Sequence, residues 1–205
     1  MPALSTPAPS ALDFAWLPER VRAFIALRLE AAVDEALAGL IERLRAPGDG
    51  IRWVPRSNFH LTLFFLGPSA PRERLAPIGE ALGVIAAGTA PFEIAARGVG
   101  VFPDLGRPRV IWAGLHGEEL VRLAARVAGA AERCGFPAQA RAYSPHLTIG
   151  RVRTPRSPGR LRPALAKEAE TNFGVSRIER VVLYRSELGP ESSAYRELAA
   201  FALGG

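Results

Sequence analysis

The chain has 205 residues, 48% of them hydrophobic and 22% charged, which is typical of a globular protein and excludes a largely disordered one. This length fits one domain, or one domain made of two similar halves. The single cysteine, Cys134, excludes an intramolecular disulfide framework and a cysteine-built metal site. The sequence has neither a run of roughly 20 apolar residues nor a secretory signal, so we expect a cytoplasmic protein without a membrane span.

The basic residues are almost all arginines. The net charge is +6, and Lys167 is the only lysine among the 26 basic residues. The planar fork of arginine suits phosphate, yet a GC-rich genome also favours arginine codons, and we assign most of the arginines to that cause. The net charge still favours anionic partners such as nucleic acid or phosphorylated metabolites.

Hydrophobic patterning predicts strands and helices that alternate irregularly. Residues 1–19, rich in Pro and Ala, are expected to form a flexible arm, and residues 20–205 one folded domain. The first half predicts a strand at 22–29, a helix at 30–45, strands at 51–54 and 58–66, a helix at 71–87, and strands at 92–101 and 109–115. The second half predicts a helix at 118–134, a strand at 145–152, a short helix at 164–169, and strands at 178–186 and 195–203. We expect Gly67-Pro68 to end the third strand, and this order of elements indicates an α+β fold.

Two of the three histidines begin the same tripeptide, His-Leu-Thr, at His60 and at His146. Threonine occurs six times in the chain, so the chance that two of three histidines precede a threonine at this spacing is roughly 0.3%. The third histidine, His116, lies in a turn-like Leu-His-Gly sequence and is interpreted as structural. A single His-x-Thr would be interpreted in the same way, whereas the pair indicates function.

Strand geometry places the histidine and threonine of each triplet on one face. Side chains at positions i and i+2 point the same way, about 6.8 Å apart along a strand. His60 and Thr62 therefore point together, as do His146 and Thr148. If the two halves pack about a pseudo-two-fold axis, these polar faces meet across a cleft. The other positions of the two motifs point into a core: Leu61, Leu63, Leu147 and Ile149.

Two imidazoles and two hydroxyls around one small volume suit chemistry at a phosphodiester. Imidazoles can divide the roles of general base and general acid, and hydroxyls can donate hydrogen bonds to phosphate oxygens. One histidine takes a proton from the attacking water, and the other gives one to the leaving oxygen. No acidic cluster accompanies the triplets, and two histidines alone make a poor zinc site, so this chemistry requires no metal.

The chain resembles the 2H phosphoesterase superfamily, whose signature is a pair of His-x-Thr-x motifs. Within it, the chain looks most like the bacterial and archaeal RNA 2′,3′-cyclic phosphodiesterases, historically called 2′-5′ RNA ligases. The resemblance implies a bilobal duplicated fold in which two antiparallel sheets face a central cleft, with helices outside and pseudo-two-fold symmetry. It covers nearly all of residues 21–203 and rests on RAFIAL at 22–27, IRWV at 51–54, HLTLFFLG at 60–67, FP at 102–103, VIWAG at 110–114, SPHLTIGRV at 144–152 and VLYRSELG at 182–189.

The same resemblance implies hydrolysis of RNA 2′,3′-cyclic phosphate ends to 2′-phosphomonoesters, without a cofactor. By position, His60 would be the proton donor to the departing 3′ oxygen and His146 the proton acceptor that activates water. The triplets are identical, so the sequence alone does not orient acid and base. Thr62 and Thr148 would hold phosphate oxygens, and Arg151 would add a phosphate contact. The expected partner of this monomer is RNA with a 2′,3′-cyclic phosphate end, including tRNA fragments and small nucleotides.

Side chains around the motifs have two interpretations each. Strand alternation places Arg151 on the core face, and a bulge at Gly150 could re-aim it. A surface ion pair is the equal alternative to the phosphate contact. Residues 151–162 contain five arginines, which either guide RNA phosphates or belong to a solvated loop. Ser144 is interpreted as a loop residue before Pro145. For the nearby aromatic residues, core packing is favoured over stacking on a nucleobase: Trp53, Phe59, Phe65 and Tyr143.

Three classes of function stay open. The favoured class is a metal-free phosphodiesterase. The second is a related enzyme of the superfamily that acts on 2′-5′ linked oligonucleotides or small cyclic phosphates, or joins RNA ends in reverse. The third is a non-catalytic RNA-binding module, which predicts RNA affinity without turnover, and the two intact motifs argue against it.

Overall fold

Two antiparallel sheets organise the protein in a computed structural model that describes residues 12–153, 158–189 and 193–205. The first sheet has the order β3-β1-β8-β9 and consists of β1 (Arg20–Leu27), β3 (Leu61–Pro71), β8 (Arg180–Leu188) and β9 (Ser193–Ala202). The second sheet has the order β2-β6-β5-β4-β7 and consists of β2 (Ile51–Trp53), β4 (Phe92–Phe102), β5 (Val110–His116), β6 (His146–Val152) and β7 (Asn172–Ile178). The helices are α1 (Ala31–Leu44), α2 (Leu75–Ala87), α3 (Glu118–Arg133) and α4 (Pro158–Lys167). The predicted α+β class with two antiparallel sheets is confirmed.

Each sheet contains strands from both halves of the sequence. Strand β2 belongs to the first half in sequence but pairs with β6, while β8 and β9 from the second half complete the first sheet. Helix α1 likewise packs against β7, and α3 packs against β3. The two motif-bearing strands, β3 and β6, contact each other as a result, although they belong to different sheets.

Two predictions about strands are wrong. Strand β3 does not end at Gly67-Pro68 but continues to Pro71. It is the edge strand of its sheet, where a proline loses no hydrogen bond if its nitrogen faces away from the neighbouring strand. Gly67 adopts a φ of +125°, which residues with a side chain rarely adopt. Strand β7 spans Asn172–Ile178, a segment in which the sequence predicts no strand before residue 178. Its apolar side chains at 173, 175 and 178 do not alternate regularly, so the sequence lacks the period of two that indicates a strand.

Part of the expected N-terminal arm belongs to the core. Phe14 and Leu17 are 6% and 2% exposed and join the main hydrophobic cluster, while residues 1–11 lie outside the described residues. Apolar burial explains the difference, because these two side chains interrupt an otherwise Pro- and Ala-rich stretch. In the described part of the chain, no helix is both long enough and apolar enough to cross a membrane. One folded domain over residues 20–205, a monomeric state and a cytoplasmic location stay predictions.

Candidate active site

The two motif histidines have the same local geometry. Nδ1 of His60 lies 2.7 Å from the carbonyl oxygen of Asn58, and Nδ1 of His146 lies 2.7 Å from the carbonyl oxygen of Ser144. A carbonyl can only accept, so each Nδ1 carries a proton and donates it. In each neutral ring, Nε2 is therefore the nitrogen with a free lone pair, which can take up or release a proton. Two imidazoles with a fixed tautomer are suited to acid–base catalysis.

Aromatic side chains hold both imidazoles in place. The ring of His60 lies 4.8 Å from that of Phe24 and meets the ring of Tyr195 edge-on at 4.9 Å. The ring of His146 meets that of Phe102 edge-on at 5.0 Å. Each histidine thus has a phenylalanine as a packing partner, although Phe24 lies on β1, next to β3, whereas Phe102 lies on β4, which β5 separates from β6. In both motifs, ring packing therefore adds to the Nδ1 hydrogen bond in orienting the imidazole.

Charged groups from both motifs act on His60. The pKa of His60 is lowered from 6.5 to about 4, mainly by burial and also by the charges of Arg28, Arg151 and His146. The hydrogen bond to the Asn58 carbonyl opposes this shift because it favours the imidazolium. These groups are therefore close enough to influence one another. The free protein has a neutral His60 within a cationic environment, which is suited to an anionic ligand.

A bulge in β6 decides the position of Arg151. In the register with β5, no residue stands opposite Ile149, so Ile149 and Gly150 are both buried. Arg151 consequently returns to the face of Thr148 and is exposed there. A glycine at position 150 allows Trp53 to pack closely against the strand, because a Cβ here would lie 3.0 Å from the Trp53 ring. Simple alternation, which placed Arg151 on the core face, is wrong here: a bulge re-aims the side chain, with Ile149 rather than Gly150 as the residue without a partner on β5. The phosphate contact of Arg151 stays a prediction.

Strand β3 has the same irregularity at the equivalent position. Its register with β1 skips Leu63, and Leu63 and Phe64 are both buried. Phe65 therefore shares the face of Thr62, where it is half-buried against a second, smaller aromatic cluster rather than the main core. The guanidinium of Arg22 lies 4.6 Å from the centre of its ring. Phe65 therefore packs against a hydrophobic cluster, as the sequence predicts, and the bulge directs it to this smaller cluster and not to the main core.

The other side chains singled out in the sequence have the structural positions that were expected for them. Trp53, Phe59 and Tyr143 pack against the main core, as expected. Burial raises the pKa of the Tyr143 hydroxyl. Exposed His116 lies at the end of β5, with Nε2 3.2 Å from the carbonyl oxygen of Arg97, in a surface position.

Of the arginine-rich stretch 151–162, residues 154–157 lie outside the described residues. Within the described ranges, no group of three or more His, Cys, Asp or Glu side chains is arranged to hold a metal ion.

Arg28 is a site residue that sequence reasoning missed. Its Nη1 donates to the carbonyl oxygen of Ser57 at 3.1 Å and to that of Phe59. These two carbonyls flank Asn58, whose own carbonyl orients His60. Arg28 therefore positions the turn that precedes the first motif, in addition to lowering the pKa of His60. The partners lie about thirty residues away in sequence, and no local pattern relates them.

Comparison with known proteins relates this geometry to one family. The family model described as LigT-like phosphoesterase matches residues 27–112 and 116–195. A protein from Thermus thermophilus named RNA 2′,3′-cyclic phosphodiesterase is 37% identical over 193 residues, which cover 90% of this chain and 91% of the relative. A protein of the same name from Archaeoglobus fulgidus is 33% identical over 182 residues, with 88% and 99% covered.

Solved structures show the same similarity. A crystal structure of a Thermus thermophilus protein superposes with a TM-score of 0.78 at 32% identity, covering 90% of this chain and 98% of that one. A crystal structure of Escherichia coli LigT complexed with 3′-AMP superposes with a TM-score of 0.75 at 25% identity, covering 90% and 99%. The similarity therefore includes the whole lengths of these proteins rather than one lobe.

Proposed function

The chain belongs to the LigT-like phosphoesterase family, and on that premise we propose that it hydrolyses RNA 2′,3′-cyclic phosphate ends to 2′-phosphomonoesters. The observation that carries the proposal is the pair of imidazoles, His60 and His146, each with Nδ1 bound to a carbonyl and Nε2 left to exchange protons. The names of the relatives from Thermus thermophilus and Archaeoglobus fulgidus support the substrate. The 3′-AMP complex of Escherichia coli LigT supports a nucleotide in the cleft.

In the proposed reaction, Nε2 of His146 removes a proton from a water that attacks phosphorus. The bond from phosphorus to the 3′ oxygen breaks, and the imidazolium of His60 protonates that oxygen from Nε2. The 2′ oxygen keeps the phosphate, so water, substrate and product balance without an oxidant or a second substrate. In-line attack and departure require the two imidazoles on opposite sides of the phosphorus, and the position of the two motifs on different sheets supports this arrangement.

Protonation of His60 requires the substrate itself. Burial and neighbouring cations keep this imidazole neutral in the free protein, with a pKa of about 4. An anionic phosphate beside Arg151 offsets those cations and favours the imidazolium. The hydroxyls of Thr62 and Thr148 donate to the non-bridging oxygens from the same face as the histidines. Substrate binding thereby prepares the acid, which stays unprotonated in the free enzyme at neutral pH.

Incubation of the purified protein with an RNA that ends in a 2′,3′-cyclic phosphate, in excess EDTA, tests the proposal. We expect complete conversion to the 2′-phosphomonoester, identified by its resistance to an enzyme that removes only 3′-phosphates. The matched control is the double variant His60→Ala, His146→Ala, which should bind RNA without turnover. RNA binding without turnover by the unaltered protein, a 3′-phosphate product, or activity that EDTA abolishes and zinc or manganese restores, would each contradict the proposal.

A further inference from the structure

A groove leads away from His60 toward the first turn of α1. A cavity of about 270 Å³ opens beside this histidine, above an aromatic floor that includes Phe24 and Tyr195. A second cavity, of about 520 Å³, lies next to it. The two cavities share Arg28, Ser57 and Arg180 as wall residues and so form one continuous depression. We call it the arginine groove, after Arg28, Arg56 and Arg180, which line it.

Arginines outnumber carboxylates in the arginine groove by three to two. Glu197 lies at the edge of the first cavity, where it accepts a hydrogen bond from Tyr184 at 3.1 Å. Its contacts with Arg180 are both 3.4 Å long, although charge-assisted N–H···O bonds are about 2.7–2.9 Å. The guanidinium of Arg180 is half exposed. Its donors are therefore weakly engaged and can turn to a phosphate oxygen.

The second carboxylate, Asp34, is buried in the wall rather than presented to a ligand. Burial raises its pKa, and the charges of Arg28 and Arg56 oppose that shift. Arg28 Nη2 lies 3.4 Å from the Asp34 carboxylate, and Arg56 donates one hydrogen bond, of 2.9 Å, to the carbonyl oxygen of Ala31. Arg56 is otherwise exposed, so most of its five donors face solvent within the groove. The accessible surface of the arginine groove is therefore cationic.

From this arrangement we propose that the arginine groove binds the phosphodiester backbone on the 5′ side of the reacting cyclic phosphate. The inference rests on the proposed function, since the cyclic phosphate fixes where the strand begins. With the cyclic phosphate placed between the two histidines, as the proposed function requires, a longer RNA must continue away from them. The arginine groove starts at His60 and offers guanidinium groups for the next phosphates. Tyr195 and Glu197 add a stacking surface and an acceptor for a ribose 2′-hydroxyl. The preferred substrate is consequently an RNA strand rather than a mononucleotide.

The test compares kcat/KM for a trinucleotide and for a mononucleotide, both ending in the same 2′,3′-cyclic nucleotide. We expect the unaltered enzyme to prefer the trinucleotide at least about tenfold, and Arg56→Gln and Arg180→Gln each to reduce that ratio by about tenfold. The salt dependence of trinucleotide binding should weaken by about 0.7 in log–log slope for each phosphate contact removed. Arg122→Gln is the matched control, because this exposed arginine pairs with Glu118 and Glu119 on α3 and should leave the ratio unchanged.

Binding of a trinucleotide that ends in a 3′-phosphate gives a readout without turnover. Weaker binding by Arg56→Gln and Arg180→Gln, with unchanged thermal melting, supports the arginine groove even if neither cyclic substrate is hydrolysed, in which case the proposed function alone fails. A ratio near one in the unaltered enzyme, or an equal reduction in Arg122→Gln, would overturn the inference. Unchanged trinucleotide binding in both groove variants would overturn it as well.

Discussion

Thr148 and Arg151 lie on the same face of β6 although they are three positions apart, because the bulge at Ile149 adds one residue between them. The equivalent bulge in β3 brings Phe65 to the face of Thr62. Each motif therefore presents a histidine, a threonine and one further side chain to the cleft. That third side chain is a cation in one motif and an aromatic ring in the other, so the geometry is symmetric while the chemistry is not.

Arg151→Gln should lower kcat/KM on a cyclic phosphate substrate by about 10- to 100-fold, since a hydrogen bond to a charged group contributes about 1.5–3 kcal/mol. The loss comes mainly from weaker phosphate binding, so KM should rise more than kcat falls. Steady-state kinetics at fixed ionic strength measures both. Arg153→Gln, two residues further along and exposed, is the control. Similar losses in both variants would mean that Arg151 acts only through net charge.

His60→Ala and His146→Ala should each lower turnover by about 10²- to 10⁴-fold, the usual contribution of a general acid or base. His116→Ala should have nearly unaltered turnover, because the hydrogen-bond contact of this exposed side chain is with the Arg97 carbonyl and with neither motif. Turnover and thermal melting of all three variants are measured together. Comparable losses of activity at the three positions would show that the damage is to folding rather than to chemistry.

The imidazole of His60 should titrate near pH 4 in the free protein, because burial and nearby cations lower its pKa. Saturation with 3′-AMP should raise that midpoint, since the phosphate compensates Arg28 and Arg151. Histidine side-chain NMR signals, assigned with His60→Gln, follow both titrations. A midpoint near 6.5 without ligand, or a further decrease on binding, would contradict the proposed preparation of the acid by substrate.

The same lowered pKa makes stability depend on pH in a predictable direction. His60 binds its proton near pH 6.5 when unfolded and near pH 4 when folded, so the unfolded chain binds more protons between these values. Its stabilising contribution is complete above pH 6.5 and is lost as the pH falls through about 4. Denaturant unfolding across this window should show a shallower pH dependence for His60→Gln than for the unaltered protein. Identical slopes would contradict the shift.

Strand alternation within the two motifs can be predicted from the sequence, whereas the bulges and the long-range contacts cannot. The facing polar triplets are predictable because a strand fixes the relation between positions i and i+2, as at His60 and Thr62. The positions of Arg151 and Phe65 are not predictable in this way, because one extra residue in a bulge moves every later side chain of the strand to the opposite face. Arg28 is unpredictable for another reason: its partners are determined by tertiary packing between distant segments. The exchange of β2 and β8 between sheets has the same origin.

The division of labour between His60 and His146 is the central claim, and a substrate with a better leaving group tests it most directly. In a cyclic phosphate whose bridging 3′ oxygen is replaced by sulfur, the leaving thiolate needs no proton. We predict that this substrate largely restores kcat/KM in His60→Ala and not in His146→Ala, since water still needs its base. Restoration in His146→Ala instead would reverse the assignment, and restoration in neither would contradict acid–base catalysis by this pair.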